Sequence, residues 1–108
     1  MIQIDGNSLT INEIQQIAVE NEKLTLYTEI IQKIDESRQW VEDIIAKGET
    51  VYGINTGYGI FADKQISADE TRLLNRNLIL SHAVGTGDPL PAEVVRAAIL
   101  IRANTLAK

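Results

Sequence analysis

Cysteine is absent from the 108-residue sequence and histidine occurs once, as His82. No disulfide is therefore possible, and neither is a zinc site, which takes three or four nitrogen or sulfur ligands. Any bound metal would have to rest on carboxylates alone, and none is expected. Proline occurs twice and glycine seven times, which excludes disorder and a collagen-like chain. No apolar run approaches the 18 residues or so of a membrane span, and Met1 to Gly6 lack the basic and apolar regions of a signal peptide. These absences predict a cytoplasmic protein without a membrane partner.

Basic charge is also scarce. The formal net charge is −5, with ten acids against four bases in residues 1–50 and five against six in residues 51–108. Neither half forms a nucleic-acid patch, and the acidic half reads as solvated helix faces. What remains, with 44% apolar and 23% charged residues, is the composition of one ordinary globular domain. One core and one folding unit, residues 1–108, are expected.

Periodicity predicts a mainly α chain with two short strands, an α+β arrangement rich in helix. Ile2 and Ile4 alternate with polar residues and stop at Asp5-Gly6, as a short edge strand would. Thr10-Ile11-Asn12-Glu13 has capping-box spacing and opens a short helix carrying Ile11, Ile14, Ile17 and Ala18. A long amphipathic helix is predicted from Leu24 through Tyr27, Ile31, Ile34, Val41 and Ile45, ending at Lys47-Gly48. Val51-Tyr52-Gly53-Ile54 reads as the second strand, and residues 55–64 as an exposed loop. Ser67-Ala68-Asp69-Glu70 repeats the capping-box spacing for a helix that breaks at Gly85-Thr86-Gly87-Asp88-Pro89. Pro91 suits the first turn of a last helix, whose Val94, Val95, Ala98, Ile99, Leu100 and Ile101 are apolar almost all round. No glycine, asparagine or proline stop follows Leu106, so the pattern is expected to belong to a larger protein.

Gly57-Tyr58-Gly59-Ile60-Phe61-Ala62 fits the glycine pattern of a dinucleotide site. The context does not fit, because the pyrophosphate needs a helix N-terminus directly after the glycine turn and the capping box delays the helix to Ser67. Ser81-His82 suggests a nucleophile beside a base. Adjacent helical residues point about 100° apart, however, so a dyad is not expected, and a satisfied helix-face histidine is the plain alternative. The stretch Val51 to Gly59 places Gly53, Gly57 and Gly59 and the pair Asn55-Thr56 around Tyr52 and Tyr58. Such backbone freedom suits a loop that closes over a ligand and positions a phenol, although a plain glycine-rich hairpin tip has the same composition.

Three segments carry a family resemblance. Tyr-Gly-Ile-Asn-Thr-Gly-Tyr-Gly at 52–59, Leu-Ser-His-Ala-Val-Gly-Thr-Gly at 80–87 and Arg-Ala-Asn-Thr-Leu-Ala-Lys at 102–108 resemble the N-terminal segment of the histidine ammonia-lyases and related aromatic amino acid lyases. The likeness is specific over residues 48–108 and general over 1–47. It implies the N-terminal part of an aspartase/fumarase-like ammonia-lyase fold from a longer, helical homotetramer. It also implies elimination of ammonia from an aromatic amino acid, with L-histidine giving trans-urocanate.

The family's electrophile is 4-methylideneimidazol-5-one, self-formed from an internal Ala-Ser-Gly. No Ser-Gly dipeptide occurs in these 108 residues, so the electrophile is expected beyond them and the chain by itself is expected to be inactive. The resemblance assigns Tyr52 as the catalytic base and places His82 and Gly59 at the substrate, with Gly53, Asn55, Thr56, Gly57 and Tyr58 forming the loop. A phenol titrating near 10 needs positive groups or donors to act as phenolate at neutral pH. Ser81-His82 resembles the pair of the histidine lyases. Many of those have phenylalanine at the position of Tyr58, whereas tyrosine aminomutases carry both Thr-Gly-Tyr-Gly and Ser-His. Histidine lyase, aminomutase and, outside the family, a stand-alone helical interaction domain are the three readings of the sequence.

Overall fold

The structure, a computed structural model, describes residues 1–108 apart from the side chain of Ala68. Two strands and four α-helices follow in the order β1 (Ile2–Ile4), α1 (Ile11–Ala18), β2 (Leu24–Leu26), α2 (Thr28–Lys47), α3 (Ala68–His82) and α4 (Ala92–Leu106), with one 3-10 turn at Gly59–Phe61. The helix-rich α+β class expected from periodicity is observed. By its contacts the chain divides into two compact units, Met1–Asp35 with Asp88–Lys108, and Glu36–Gly87.

In the first unit, β1 and β2 pair in parallel with Ile2 opposite Leu24 and Ile4 opposite Leu26. Leu24–Leu26 was expected to open the long helix, because Leu24, Tyr27 and Ile31 happen to fall at helical spacing. The helix instead starts at Thr28, where Tyr27 O accepts from the N–H groups of Ile30 and Ile31. The parallel partner decides the matter: Ile2 N–H donates to Lys23 O at 2.8 Å, and the polar backbone of a Leu-Thr-Leu segment is satisfied across the sheet as well as along a helix.

The capping box of α1 forms as its spacing predicts. Thr10 Oγ1 accepts from Glu13 N–H at 3.3 Å, while Glu13 Oε2 accepts from Thr10 N–H at 2.8 Å. The hydroxyl and then the N–H of Thr10 hold the Glu13 carboxyl below the ordinary carboxylate range. Ile4, Ile17 and Leu100 form the buried centre, with Ile2, Leu9, Ile14 and Leu26 packed against it. Burial of such side chains contributes roughly 1.5–3 kcal/mol each. Pro91 stands one residue earlier than expected, as the N-cap of α4, with φ −53° and ψ 140°. Leu100 is the buried residue of α4, while Val94, Val95, Ile99, Ile101 and Leu106 are exposed.

The end of β1 is tied to the end of α4. Gly6 N–H donates to Asn104 Oδ1 at 3.0 Å, and Gly6 adopts φ +85°. A Cβ at Gly6 would lie 2.7 Å from Ala107 O and 2.8 Å from its carbonyl carbon, both backbone atoms that cannot swing away. Gly6→Ala therefore combines a left-handed backbone with a clash, and should destabilise the first unit by about 2–4 kcal/mol. A urea titration followed by helical circular dichroism checks this, and an unchanged midpoint contradicts it.

Candidate functional site

In the second unit, α2 ends as its Lys47-Gly48 signal predicts. Gly48 N–H donates to Ile45 O and Glu49 N–H to Ile44 O. Residues Val51 to Ile54 were expected to form a strand and instead form a turn. Ile54 and Asn55 both donate their N–H to Val51 O, at 3.1 and 3.3 Å, and Gly53 takes φ +81°. β-propensity is real at Val51, Tyr52 and Ile54, but a strand needs a neighbour, and the polar groups here are taken up locally.

Asn55 takes up most of them. It is 2% exposed; its Oδ1 accepts from Val51 N–H at 2.9 Å, and its Nδ2 donates to Glu49 O at 2.7 Å. Its own carbonyl accepts from Ile66 N–H at 2.8 Å. One side chain thus ties the entry of the loop to its turn, and its backbone ties the turn to the exit. Thr56, 1% exposed, accepts from Gly53 N–H at 3.3 Å, donates to Gly57 O at 3.0 Å and bridges to Gln65 in antiparallel register. Gln65 Nε2 donates to Gly48 O at 2.9 Å, seventeen residues back along the chain. No buried side-chain polar atom lacks a partner among the described residues.

Gly57 is required by proximity. A Cβ there would sit 2.6 Å from the Cβ of Phe61 and 2.7 Å from Phe61 O, so the 3-10 turn over Gly59–Phe61 can fold back only over a bare backbone. Gly57 N–H then reaches Lys64 O at 3.0 Å. The loop is therefore a cross-braced frame.

The frame leaves Tyr52 65% exposed, its ring edge-on to that of Tyr58 with centroids 6.1 Å apart and planes at 69°. The five residues between the two phenols span the turn, Asn55 and Thr56, so the frame that holds one also holds the other. Gly59 opens the 3-10 turn with φ +60°. His82 stands at the last position of α3, a helix opened by Ser67, whose Oγ accepts from Glu70 N–H; the other half of the expected box is replaced by the Ser67 hydroxyl donating to Glu70 Oε2 at 2.6 Å. Its Nδ1 lies 2.8 Å from Leu78 O and 3.0 Å from Ser81 Oγ, and Ser81 Oγ donates to Leu78 O at 2.8 Å. Sequence reasoning kept Ser81 and His82 apart on the helix. The structure brings them into contact, because the serine rotates back toward the preceding turn and the ring folds over the same carbonyl.

A cleft of about 790 Å³ lies on another side of the turn, lined by Arg38, Glu42, Ile54, Arg72 and Asn75 among others, and Tyr52, Tyr58 and His82 are not in its wall. Arg38 is engaged with Glu42 one helical turn away, at 2.8 and 2.9 Å. Among the described residues, no group of three His, Cys, Asp or Glu side chains could hold a metal ion, and no helix is long and apolar enough to cross a membrane. The residues that sequence reasoning undervalued are Asn55 and Thr56 as braces and Leu78 as a carbonyl acceptor. For the first two, the short polar side chain beside a glycine is the available signal. A backbone carbonyl has none.

The turn thus presents Tyr52 and Tyr58 with their rings edge-on, and α3 ends in the Ser81-His82 pair. The class of the chain follows from comparison with known proteins. The sequence profile of the family "Aromatic amino acid lyase" matches residues 9–108, and the chain belongs to it. The chain is 45% identical over all 108 residues to histidine ammonia-lyases from Bacillus thuringiensis (strain Al Hakam) and Bacillus anthracis, and covers 21% of the length of each. Among solved structures, it matches ergothionase from Treponema denticola with a TM-score of 0.89 and 31% identity, over 98% of this chain and 21% of that one. Tyrosine aminomutase from Streptomyces globisporus matches with a TM-score of 0.89 and 32% identity, over 98% of this chain and 20% of that one. The chain thus spans about a fifth of the length of these relatives.

Proposed function

We propose that these 108 residues are the N-terminal segment of a histidine ammonia-lyase, contributing the base and a side-chain contact to the elimination that converts L-histidine to trans-urocanate and ammonia. The observation that carries the reading is the braced turn, which holds the Tyr52 phenol outward within a family whose curated members match this chain at 45% identity. Tyr52 Oη, as phenolate, accepts the β-proton while the C–N bond to the amino group breaks. His82 meets the substrate side chain, and Gly59 lets it approach the loop backbone. The stand-alone interaction domain is set aside by family membership.

The residues present do not include the Ala-Ser-Gly from which 4-methylideneimidazol-5-one forms, and so cannot form that group by themselves. The same reading takes it to be supplied by residues outside these 108, in a cytoplasmic homotetramer. With the electrophile missing, the 108-residue chain incubated with L-histidine should produce no urocanate above a heat-killed control. Urocanate absorbance measures this, and turnover by the isolated chain would contradict it.

The reading itself is tested in the full-length protein by His82→Leu. The ring is given a part in recognition and none in proton transfer, so L-histidine turnover should lose about 1–3 kcal/mol of transition-state binding, with a relative gain for L-phenylalanine. Unchanged kinetics with both substrates would remove His82 from the site. A tyrosine aminomutase is the second reading, supported by Thr56-Gly57-Tyr58-Gly59 together with the structural match to that enzyme. Formation of β-tyrosine from L-tyrosine by the full-length protein, in place of urocanate from L-histidine, would select it.

A further inference from the structure

We infer that the last turn of α3 fixes the tautomer of His82, holding its proton on Nδ1 and presenting Nε2 as a bare lone pair. Leu78 O decides this. A carbonyl oxygen can only accept, yet two polar atoms stand 2.8 Å from it, Ser81 Oγ and His82 Nδ1. Each must bring a hydrogen. Ser81 then spends its one proton on Leu78 O, and its oxygen, 3.0 Å from Nδ1, faces the ring with lone pairs. The Nδ1–H is shared between the two oxygens.

The opposite arrangement, with Nδ1 bare and Ser81 donating to it, would press a nitrogen lone pair against the carbonyl lone pairs of Leu78. A neutral imidazole has one N–H, so with the proton on Nδ1 the other nitrogen is an acceptor.

Two consequences follow. Ser81 and His82 touch without forming a nucleophilic dyad, because Nδ1 has no lone pair to receive the serine proton. The second rests on the proposed contact between His82 and the substrate side chain: a ring that offers Nε2 as acceptor selects a side chain that carries a donor. An imidazole N–H or a phenol O–H meets that requirement and a phenyl ring does not. Ser81 is thus a positioning residue for specificity, acting through His82.

The 108-residue chain allows a direct test, since His82 is its one histidine and its ring signals stand alone. In ¹⁵N-labelled chain, in alkaline buffer where imidazole is neutral, long-range ¹H–¹⁵N correlation should show Nδ1 as the protonated, pyrrole-type nitrogen and Nε2 as pyridine-type. Predominant protonation of Nε2 overturns the assignment. In Ser81→Ala the ratio of the Nδ1–H to the Nε2–H form should fall about fivefold, the worth of one net hydrogen bond. An unchanged ratio overturns the part given to Ser81. The reading of His82 as a substrate contact fails separately: Nδ1 protonation in the chain together with unaltered L-histidine kinetics in the full-length His82→Leu protein removes the selectivity consequence and leaves the tautomer standing.

Discussion

Tyr52→Phe in the full-length protein is expected to lower kcat for L-histidine by about 10²- to 10⁴-fold, the usual loss when a general base is removed. The substitution deletes one oxygen. It leaves the turn intact, because that turn is held by Val51 O, Asn55 and Thr56 and by no contact of the phenol hydroxyl. Tyr58→Phe is the matched control. It deletes the same atom from the ring that packs edge-on against Tyr52, 6.1 Å away, and should stay within about tenfold of the parent, roughly 1.4 kcal/mol. If the effect of Tyr52→Phe came from loosening the aromatic pair, both substitutions would show it. Equal losses, or a larger loss at Tyr58, would therefore take the base assignment away from Tyr52. Steady-state kinetics on the two variants and the parent decide between these outcomes.

The largest effect on stability is expected at Asn55. Asn55→Ala removes the acceptor for Val51 N–H and the donor for Glu49 O at once, in a side chain that is 2% exposed. Leaving two part-buried backbone groups without partners costs about 2–6 kcal/mol, at 1–3 kcal/mol for each group. The cost should appear as local opening of the loop, speeding amide exchange at Val51 by at least about 30-fold and sparing Leu100 in the other unit. Asn55→Asp is the discriminating variant: it keeps an acceptor for Val51 N–H and turns a second oxygen toward Glu49 O. It should open the loop nearly as far as alanine does, although it is closer to asparagine in shape. Exchange at Val51 unaltered by either substitution would show that the turn holds its form without the brace.

Much of the helical content was legible because its signals are local. The capping box at Thr10, the N-cap of Ser67 and the glycine stop after Lys47 depend on residues three or four positions apart and appear in the structure where they were expected, while α3 ends at His82, three residues before the expected break at Gly85. Both errors about strands have one cause. Leu24–Leu26 shows helical spacing and Val51–Ile54 shows β-prone side chains. Whether either segment becomes a strand depends on a partner far along the chain, and Ile2–Ile4 pairs with the first while nothing pairs with the second. Within the candidate site, the phenols, glycines and Ser-His pair could be picked out as residue types. Their arrangement could not, since Asn55 braces the turn by reaching back to Glu49 and Val51.

The sequence by itself determined the class of the protein. Its motifs at 52–59, 80–87 and 102–108 mark the aromatic amino acid lyases, and its lack of cysteine, with a single histidine, removes disulfide and zinc chemistry. Tertiary structure alone decided where β2 lies, that Gly6 must remain glycine beneath Ala107, and that Ser81 and His82 converge on one carbonyl. The physical reason is the same in each case. Caps and turns are set by nearest neighbours and can be read along the chain, whereas strand pairing, close backbone approach and the sharing of a single acceptor are set by atoms that only folding brings within 3 Å or so of one another.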